Sequence, residues 1–419
     1  MTVQTASRSP DRSHSDGPLK IGVVDPSSGG YFIARRILER GFECVAISSS
    51  GVTSSDLNFT AALHAGDTGF ETDVLRHDFH ALIPGAESGV RLCESLAKNL
   101  GLKGNDPTTT EQRRSKTVMA QAVRAAGIAL CRQARCNTTA DCLAWADSIG
   151  FPIVIKPEAS SGSDLVKVCQ TQDELLAHAA LILSGRDKYG QNTQGVLLQE
   201  FMVGDEYTVD GVVTDGKLTI FAVGRYRKIN RDGSMIYDKI DFFPPNHPSL
   251  DPRLLTYCEA VTHAVGARVG PVHIEVMLTE DGPLLVEIAA RAHGGIGTSV
   301  IDANFRPSFI DAIIDAYLPG ETSALSAAIE QKKAASIAFL ISDRPGTLKS
   351  MPGASFLASL PSFVRMKQFV QPGEDIARTI DLATCPALVE LAHPDPAVIE
   401  ADILRIRATE QAGKMLEVE

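Results

Sequence analysis

Two glutamates, Glu275 and Glu287, lie inside two apolar runs of the segment VHIEVMLTEDGPLLVEIAARAHGG, residues 272–295. The runs are rich in β-branched and apolar residues and flank the turn-forming dipeptide Asp281-Gly282, so they predict a β-hairpin. The two glutamates are equally distant from Asp281 in sequence. In a hairpin symmetric about Asp281 their carboxylates would face each other on one side of the sheet, where like charges repel unless a cation lies between them. The pattern therefore predicts a metal site.

A lysine also interrupts an apolar run. Lys156 lies between IVI and Pro157 in the stretch FPIVIKPEASSGSD. Two readings are open, because the side chain could extend to solvent along its apolar stem or its ammonium could bind an anion. The small residues of ASSGS that follow could bring backbone N–H groups to phosphate oxygens. Further along, QEFMVGDEYTVD carries Glu200 and Glu206 around a short apolar segment that could contact an adenine edge and ribose hydroxyls.

Composition restricts the function to a globular protein that binds a small ligand. The chain has 419 residues, 44% of them hydrophobic, and a formal net charge of -11. An acidic chain of this kind is not expected to bind nucleic acid or a membrane surface, since both need clustered lysine and arginine. Its eight cysteines are scattered without a C-x-x-C pair, which predicts reduced, buried thiols in the cytoplasm.

The N-terminal segments predict a polar tail followed by an α/β domain. Residues 1–17 lack the apolar core of a signal peptide and are predicted to be a disordered tail. The stretch LKIGVVDPSSGGYFIARRILERGFECVAISSS then reads as strand, small-residue loop, helix and strand, the opening of a doubly wound α/β domain. Its loop lacks the pattern G-x-G-x-x-G, so dinucleotide binding is not favoured. No apolar run approaches the ~20 residues needed to cross a bilayer.

An acidic residue and a serine, Glu87 and Ser88, follow the next apolar run in ALIPGAESGV. Glu87 could be a solvated first-turn acid, which the helix dipole favours. Alternatively, this loop could reach a ligand in the crevice at the strand ends of an open α/β sheet. The polar run KGNDPTTTEQRRSK then indicates a boundary near residue 105.

Several of these features occur in an order that resembles the ATP-grasp carboxylate-amine ligases. The order is Lys116 in RRSKTVMAQAVRAAGI, Lys156, the loop ASSGS, QEFMVGDEYTVD, and the glutamate hairpin ending in Arg291. The resemblance extends from about Leu19 to about Leu318. It implies an α/β and α+β multidomain protein, an ATP-grasp fold with an N-terminal doubly wound α/β domain. The implied units are residues 18–105 for that domain, 106–198 for a lid subdomain, and 199–419 for a core subdomain with an α+β extension from about residue 320.

The resemblance also implies a role for each matching position. Lys116, Lys156 and the loop Ser160, Ser161, Gly162 and Ser163 would bind the ATP phosphates, Gln199, Glu200, Phe201 and Met202 would line the adenine, and Glu206 would bind the ribose. Glu275 and Glu287 would hold Mg²⁺, with Mn²⁺ as an alternative, and oxygen ligands suit both ions. Glu87, Ser88, Arg291, His293, Gly294 and Gly295 would approach the amino-acid substrates, and Arg291, Lys156 and Lys116 would carry the catalysis.

One position departs from the family pattern. Many ATP-grasp enzymes have an asparagine two residues after the second glutamate, where this chain has Ala289, so water or substrate would replace one metal ligand. The variant E-x-A-A-R, Glu287 to Arg291, resembles the L-amino-acid ligases, which join two unprotected amino acids.

Neighbouring residues leave two interpretations open. His273 shares a strand face with Glu275 by alternation and could orient it, or it could be a satisfied core histidine. His293 could shape the substrate pocket or be structural. In GRYRK, Arg225, Arg227 and Lys228 could add a cation to the triphosphate site, although a solvated edge strand is the preferred reading.

The resemblance implies an ATP-dependent ligase that joins two amino acids into a dipeptide. One alternative keeps the fold and changes the carboxylate and amine pair, as in antibiotic or other small-metabolite synthesis. Another is a nucleotide-binding module without catalysis. The resemblance alone also suggests a homodimer, and no nucleic-acid or membrane partner is expected.

Overall fold

A computed structural model describes residues 17–50, 56–158, 165–185, 195–231, 234–320 and 328–419. Nearly all of the predicted N-terminal tail, and the loop from Ser160 to Ser163, lie outside the described residues. Within those ranges, every helix is too short or too polar to cross a membrane. All eight cysteines are buried free thiols.

The N-terminal part forms a parallel four-stranded sheet with strand order β3-β2-β1-β4. Its central strands are apolar on both faces, as expected for a parallel sheet covered on both sides. The sheet order reverses beside β1, and the crevice at this point is where open α/β sheets bind ligands. The elements are β1 Lys20–Val24, α1 Gly29–Glu39, β2 Glu43–Ser48, β3 Ala61–His64, α2 Phe70–Arg76, β4 Ala81–Pro84 and α3 Val90–Leu100.

A second, antiparallel sheet has the order β5-β8-β6-β7. Its apolar face packs with its two helices into a separate small core that includes Cys142, Ile155 and Leu198. The elements of this part are α4 Thr110–Arg114, α5 Lys116–Ala125, β5 Gln133–Cys136, α6 Thr139–Ile149, β6 Ile153–Pro157, β7 Lys167–Cys169, α7 Gln172–Ser184 and β8 Val196–Glu200.

The rest of the chain builds an eight-stranded sheet with the order β13-β12-β9-β10-β11-β16-β20-β18. Its first elements are β9 Asp205–Thr214, β10 Lys217–Arg231, β11 Ser234–Phe243, α8 Pro252–Ala264, β12 Gly270–Thr279, β13 Gly282–Ala289, α9 Gly297–Asn304, β14 Phe305–Arg306 and α10 Phe309–Tyr317. The C-terminal extension continues this sheet through β16, β20 and β18. Its elements are β15 Glu330–Gln331, β16 Ala334–Phe339, β17 Gly346–Ser350, α11 Gly353–Ala358, β18 Phe363–Gln368, β19 Asp375–Ile376, β20 Ala387–His393, α12 Pro396–Gln411 and β21 Glu417–Val418. The predicted fold class is confirmed, while the subdomain boundaries stay predictions.

The glutamate hairpin has the predicted pairing but not the predicted symmetry. Glu275 on β12 lies directly opposite Glu287 on β13. The turn is centred one half-residue earlier than expected, since Thr279 pairs with Gly282. A β-bulge then shifts the register, because Val276 pairs with Leu285 and leaves one extra residue in β13. This extra residue restores the alignment of the two glutamates.

A buried ion pair fixes the connection between the N-terminal sheet and the helices that follow it. Arg113 donates from Nε and Nη2 to Glu94 at 3.1 and 2.9 Å, and neither side chain is more than 4% exposed. Its remaining donors bond the carbonyl oxygens of Asp106, Val265 and Gly266. Arg113 therefore ties α3 and α4 to the end of α8.

Replacing Arg113 with methionine is expected to lower the free energy of unfolding by about 3–5 kcal/mol, because Glu94 is left buried without its cation. The matched control is Arg91→Met, since Arg91 forms an ion pair with Glu111 in which both side chains are 51% exposed. That change is expected to cost less than about 1 kcal/mol. Urea unfolding of the three chains measures both values, and equal midpoints for the two variants would contradict the prediction.

Candidate active site

The two facing glutamates lie among cations from other parts of the chain. Lys116, the first residue of α5, places its Nζ 3.0 Å from Glu287 Oε2. Burial tends to raise the pKa of Glu275, but His273, Arg291 and Lys156 outweigh that effect and lower it. The Glu275 carboxylate is thus held in the charged form that binds cations.

Lys156 does not extend to solvent. It lies on β6 of the antiparallel sheet and is only 6% exposed. Burial and the neighbouring charge of Lys116 lower its pKa to about 8, against the partial opposition of Glu287 and Glu275. A buried ammonium with a destabilised charge is a group suited to receiving an anion.

The segment predicted to line the adenine connects the two antiparallel sheets. Gln199 and Glu200 end β8, and the chain then passes through Phe201 and Met202 to the start of β9. The Gln199 amide is buried and donates to Gln133, while Glu200 accepts two hydrogen bonds from Arg132 at 2.9 and 3.0 Å. Phe201 is 40% exposed. An exposed aromatic side chain between two sheets could pack against a flat base.

Glu206, predicted to bind the ribose, already has two partners. It accepts from the Tyr237 hydroxyl at 3.0 Å and lies 2.6 Å from the Lys228 ammonium. A ribose hydroxyl would therefore join an existing network, and the role of Glu206 stays a prediction.

The preferred reading of GRYRK as a solvated edge strand is wrong. Residues 224–228 lie on β10, which is an inner strand because β9 pairs with one of its edges and β11 pairs with the other. Arg225 pairs with Asp205, and Arg227 pairs with Asp238 and Glu400. Of the three cations, Lys228 lies beside a predicted nucleotide-binding residue.

Glu87 is not a solvated acid. It is 9% exposed and forms ion pairs with Arg114 and, at 3.3 Å, with Arg291 Nε. Burial raises its pKa, but the two guanidinium groups reverse that effect, so the carboxyl stays charged. The adjacent Ser88 hydroxyl donates to Asp25 Oδ2 at 2.5 Å, which fixes the ends of β1 and β4 relative to each other.

Sequence reasoning missed Arg114. The run that contains it, TEQRRSK, indicated only a boundary, although two adjacent arginines before a predicted phosphate-binding lysine were a usable signal. Its Nε atom and the Oε2 atom of Glu87 are both buried and form no hydrogen bond within the described ranges. Together with Arg291, these residues make a polar cluster with unused hydrogen-bonding capacity.

A second missed residue, Asp210, lies on β9 with no measurable exposure. Its two carboxylate oxygens each lie 2.8 Å from an imidazole Nδ1, one of His273 and one of His293. Because an ionised carboxylate only accepts, both Nδ1 atoms carry protons. An acid inside the apolar run YTVDGVV was the same kind of signal that singled out Glu275.

The two histidines differ in their surroundings. Burial lowers the pKa of both and Asp210 raises it, but the pKa of His273 is also raised by Glu275, whose Oε1 lies 3.5 Å from its Nε2, while that of His293 is lowered by His273. The pKa of His273 is raised as a result, while that of His293 is lowered. His273 therefore does contact the predicted metal ligand. For His293 the structural reading is the better supported, because it packs between Asp210 and α9.

The glycines after Arg291 face the N-terminal sheet. Gly295 N–H donates to Ser28 Oγ at 2.8 Å. A Cβ atom on Gly29 would lie 2.7 Å from the carbonyl oxygen of His293, so this approach needs glycine. The small residues of DPSSGG thus allow the crevice beside β1 to close against the segment that carries Arg291.

The residues present fit a magnesium ion. Two carboxylates face each other across neighbouring strands, and Mg²⁺ takes one or two protein carboxylates and completes its octahedron with phosphate oxygens and water. The side chain of Ala289 has no oxygen atom, so this chain lacks the metal ligand that the asparagine of the family pattern supplies at this position. Mg²⁺ or Mn²⁺ at Glu275 and Glu287 remains a proposal.

The chain has an ATP-grasp fold. Residues 149–300 match the family model for the ATP-grasp domain. Dapdiamide A synthase of Enterobacter agglomerans is 25% identical over 409 residues, covering 93% of this chain and 95% of that protein. These matches confirm the resemblance to ATP-grasp carboxylate-amine ligases.

Solved structures agree on the fold. An L-amino acid ligase from Bacillus licheniformis superposes with a TM-score of 0.78 at 17% identity, covering 97% of this chain and all of that one. The biotin carboxylase domain of the 2-oxoglutarate carboxylase from Hydrogenobacter thermophilus, solved with MgADP, gives a TM-score of 0.66 at 14% identity, covering 96% of this chain and 91% of that one. At these identities the likeness establishes the fold alone.

Replacing Lys156 with methionine is expected to stabilise the ligand-free protein at pH 7. Lowering a lysine pKa from 10.5 to about 8 corresponds to a cost on the order of 3 kcal/mol for holding the charge in the fold. Between these two pH values the unfolded chain binds more protons than the folded one, so wild-type stability rises with pH. The advantage of the variant should therefore shrink from pH 8 to 10.5.

Thermal unfolding of both proteins across that pH range measures the difference. Lys167→Met serves as the control, because Lys167 lies on the neighbouring strand β7 and is not fully buried. A variant that is less stable than the wild type at pH 7 would show that the Lys156 ammonium stabilises the fold instead.

Proposed function

We propose that the protein is an ATP-dependent ligase that activates an amino-acid carboxylate and joins it to the amine of a second amino acid. The observation that carries this proposal is the convergence of the Glu275 and Glu287 pair with Lys116 and Lys156 beside the buried cluster of Glu87, Arg114 and Arg291. The names of the relatives, a dapdiamide synthase and an L-amino acid ligase, support it.

The chemistry requires activation because a carboxylate is a poor electrophile. A carboxylate oxygen of the first substrate attacks the γ-phosphorus of ATP, the bond to the β-phosphate oxygen breaks, and ADP leaves. The amine of the second substrate then attacks the acyl carbon, phosphate departs with its oxygen, and the nitrogen loses a proton. Both steps concentrate negative charge in a small volume. Positively charged groups held in fixed positions stabilise that charge and account for most of the catalysis.

The chain supplies these charges from three directions. Lys116 and Lys156 bind phosphate oxygens, and the release of Lys116 from Glu287 accompanies nucleotide and metal binding. Glu275 and Glu287 would hold a divalent cation, which would supply positive charge next to the phosphates. Arg291 offers two parallel N–H groups to a planar oxyanion.

The buried cluster provides a site for a zwitterion. Glu87 contributes one negative charge, and Arg114 and Arg291 contribute two positive charges, so the cluster has a surplus positive charge for a substrate carboxylate or acyl phosphate. Glu87 Oε2 forms an ion pair with Arg291 Nε at 3.3 Å but accepts no hydrogen bond among the described residues, so it can accept one from a substrate ammonium. An α-amino acid presents both groups together, which favours amino acids as the first substrate.

The likeness to dapdiamide A synthase favours a second candidate, an ATP-grasp ligase that uses a different carboxylate and amine pair in antibiotic synthesis. A nucleotide-binding module without catalysis is the third. Cytoplasmic location and a homodimer remain predictions of the sequence.

The direct test is phosphate release from ATP and Mg²⁺ across a matrix of paired L-amino acids, with mass spectrometry of the products. We expect phosphate only with particular pairs, together with the mass of a dipeptide. Glu287→Ala and Arg291→Ala are expected to abolish turnover, while Arg253→Ala should retain it because Arg253 is exposed and forms its ion pair with the nearby Asp251. Phosphate release without amide formation would refute the ligase, and turnover in Arg291→Ala would refute the site.

Arg114→Gln is expected to raise the KM for the carboxylate substrate about 10- to 100-fold, the loss of one charge-assisted hydrogen bond of about 1.5–3 kcal/mol. The KM for ATP should change little, because Arg114 contacts Glu87 and not the nucleotide-binding residues. Steady-state kinetics with each substrate varied in turn measures both. Arg91→Gln is the control, and a rise in the KM for ATP alone would contradict the assignment of Arg114 to the acyl site.

A further inference from the structure

The register of the hairpin places a histidine opposite the missing metal ligand. Ala289 on β13 pairs directly with His273 on β12, one step along the same sheet face from the Glu275 and Glu287 pair. Where many ATP-grasp chains have an asparagine side chain, this chain has a methyl group. The space beside the two carboxylates is therefore filled from the opposite strand, by an imidazole.

The His273 ring is held with one nitrogen facing that space. Its Nδ1–H donates to Asp210 Oδ1 at 2.8 Å, and its Nε2 lies 3.5 Å from Glu275 Oε1. A carboxylate that accepts from the far nitrogen of an imidazole is the arrangement that orients histidines bound to metals. Neighbouring ligands of an octahedral ion with bonds of ~2.1 Å lie ~3 Å apart, so a small movement would bring Nε2 and Oε1 onto one ion.

The second histidine on Asp210 provides an internal comparison. His293 donates to Asp210 Oδ2 at the same distance of 2.8 Å and is equally buried. However, its far edge packs on α9, where a Cβ added to Gly297 would lie 2.6 Å from Nε2. The same acid thus holds one histidine against a helix and the other against a carboxylate.

We propose that His273 Nε2 is the third protein ligand of the catalytic divalent cation, in place of the carboxamide that Ala289 lacks, and that Asp210 is the residue that positions it. This inference rests on the proposed function, since it adds a ligand to the same metal site. The metal replaces the proton at Nε2, as it does in other histidine ligands. A nitrogen donor favours Mn²⁺ and other transition ions over Mg²⁺ relative to an all-oxygen set.

The test uses pulsed electron paramagnetic resonance of Mn²⁺ bound with ATP to the full chain labelled with ¹⁵N-histidine. Unlabelled ATP contributes no ¹⁵N signal, so a ¹⁵N coupling identifies a histidine ligand. We expect the coupling in the wild type and in His293→Gln, and its loss in His273→Gln, which keeps an amide donor for Asp210. If a variant does not fold, the absence of a ¹⁵N coupling in the wild type still overturns the proposal, and His273→Asn replaces His273→Gln for the assignment.

A rescue experiment separates a ligand from a structural histidine. His273→Ala is expected to weaken Mn²⁺ affinity in the presence of ATP by about tenfold or more. Adding Ala289→Asn to it should restore affinity through an oxygen ligand, without the ¹⁵N coupling and with a shift in preference from Mn²⁺ to Mg²⁺. A merely structural role would leave affinity low after that addition.

The outcomes also separate this inference from the proposed function. A wild type that binds Mn²⁺ and ATP with no ¹⁵N coupling overturns the histidine ligand and leaves the ligase proposal standing. A wild type that binds no Mn²⁺ with ATP overturns both.

Discussion

The repulsion between Glu275 and Glu287 is the constraint on which the rest of the site depends. Two ionised carboxylates opposite each other on neighbouring strands destabilise the pairing. The fold offsets this with cations from outside the hairpin: Lys116 from the start of a helix and Lys156 from a second sheet. The Lys156 ammonium is itself destabilised by burial and by the neighbouring charge of Lys116. The ligand-free site therefore holds charges that a triphosphate and a divalent cation would satisfy better than the protein does, which is a general feature of sites kept for binding.

The same constraint explains how the N-terminal sheet joins the site. Arg291 lies just after the hairpin and forms an ion pair with Glu87. This pair continues the series of positively and negatively charged side chains from the hairpin into the crevice beside β1. Next to this ion pair, the backbone N–H of Gly295 donates a hydrogen bond to the Ser28 hydroxyl oxygen. The proposed acyl site thus lies where a parallel sheet and an antiparallel sheet meet. Residues far apart in sequence become one cluster because each has a charge that another must offset.

A site residue could be predicted from the sequence when its type differs from that of the residues around it. Glu275, Glu287 and Lys156 stand inside apolar runs, so periodicity alone exposed them, and their pairing followed from the position of the turn. The bulge in β13 could not be predicted, because the extra residue looks like any other apolar strand residue. Arg114 was hidden in a polar run where charge is ordinary. GRYRK was misread because strand position within a sheet depends on long-range pairing, which local sequence does not specify.

Asp210 shows that the role of a single charged residue in an apolar strand cannot be assigned until the residues it contacts are known. In sequence it is one acid in an apolar strand, and burial without a cation would cost several kcal/mol. The fold satisfies both of its oxygens with imidazoles, one from β12 of the glutamate hairpin and one from the segment that follows the hairpin. A core built only for stability would more cheaply use an apolar residue here, since replacing a buried charged group by a packed apolar one is often neutral or stabilising. Here the charge of Asp210 orients His273 toward Glu275, a role that an apolar residue could not fill and that the proposed metal site would require.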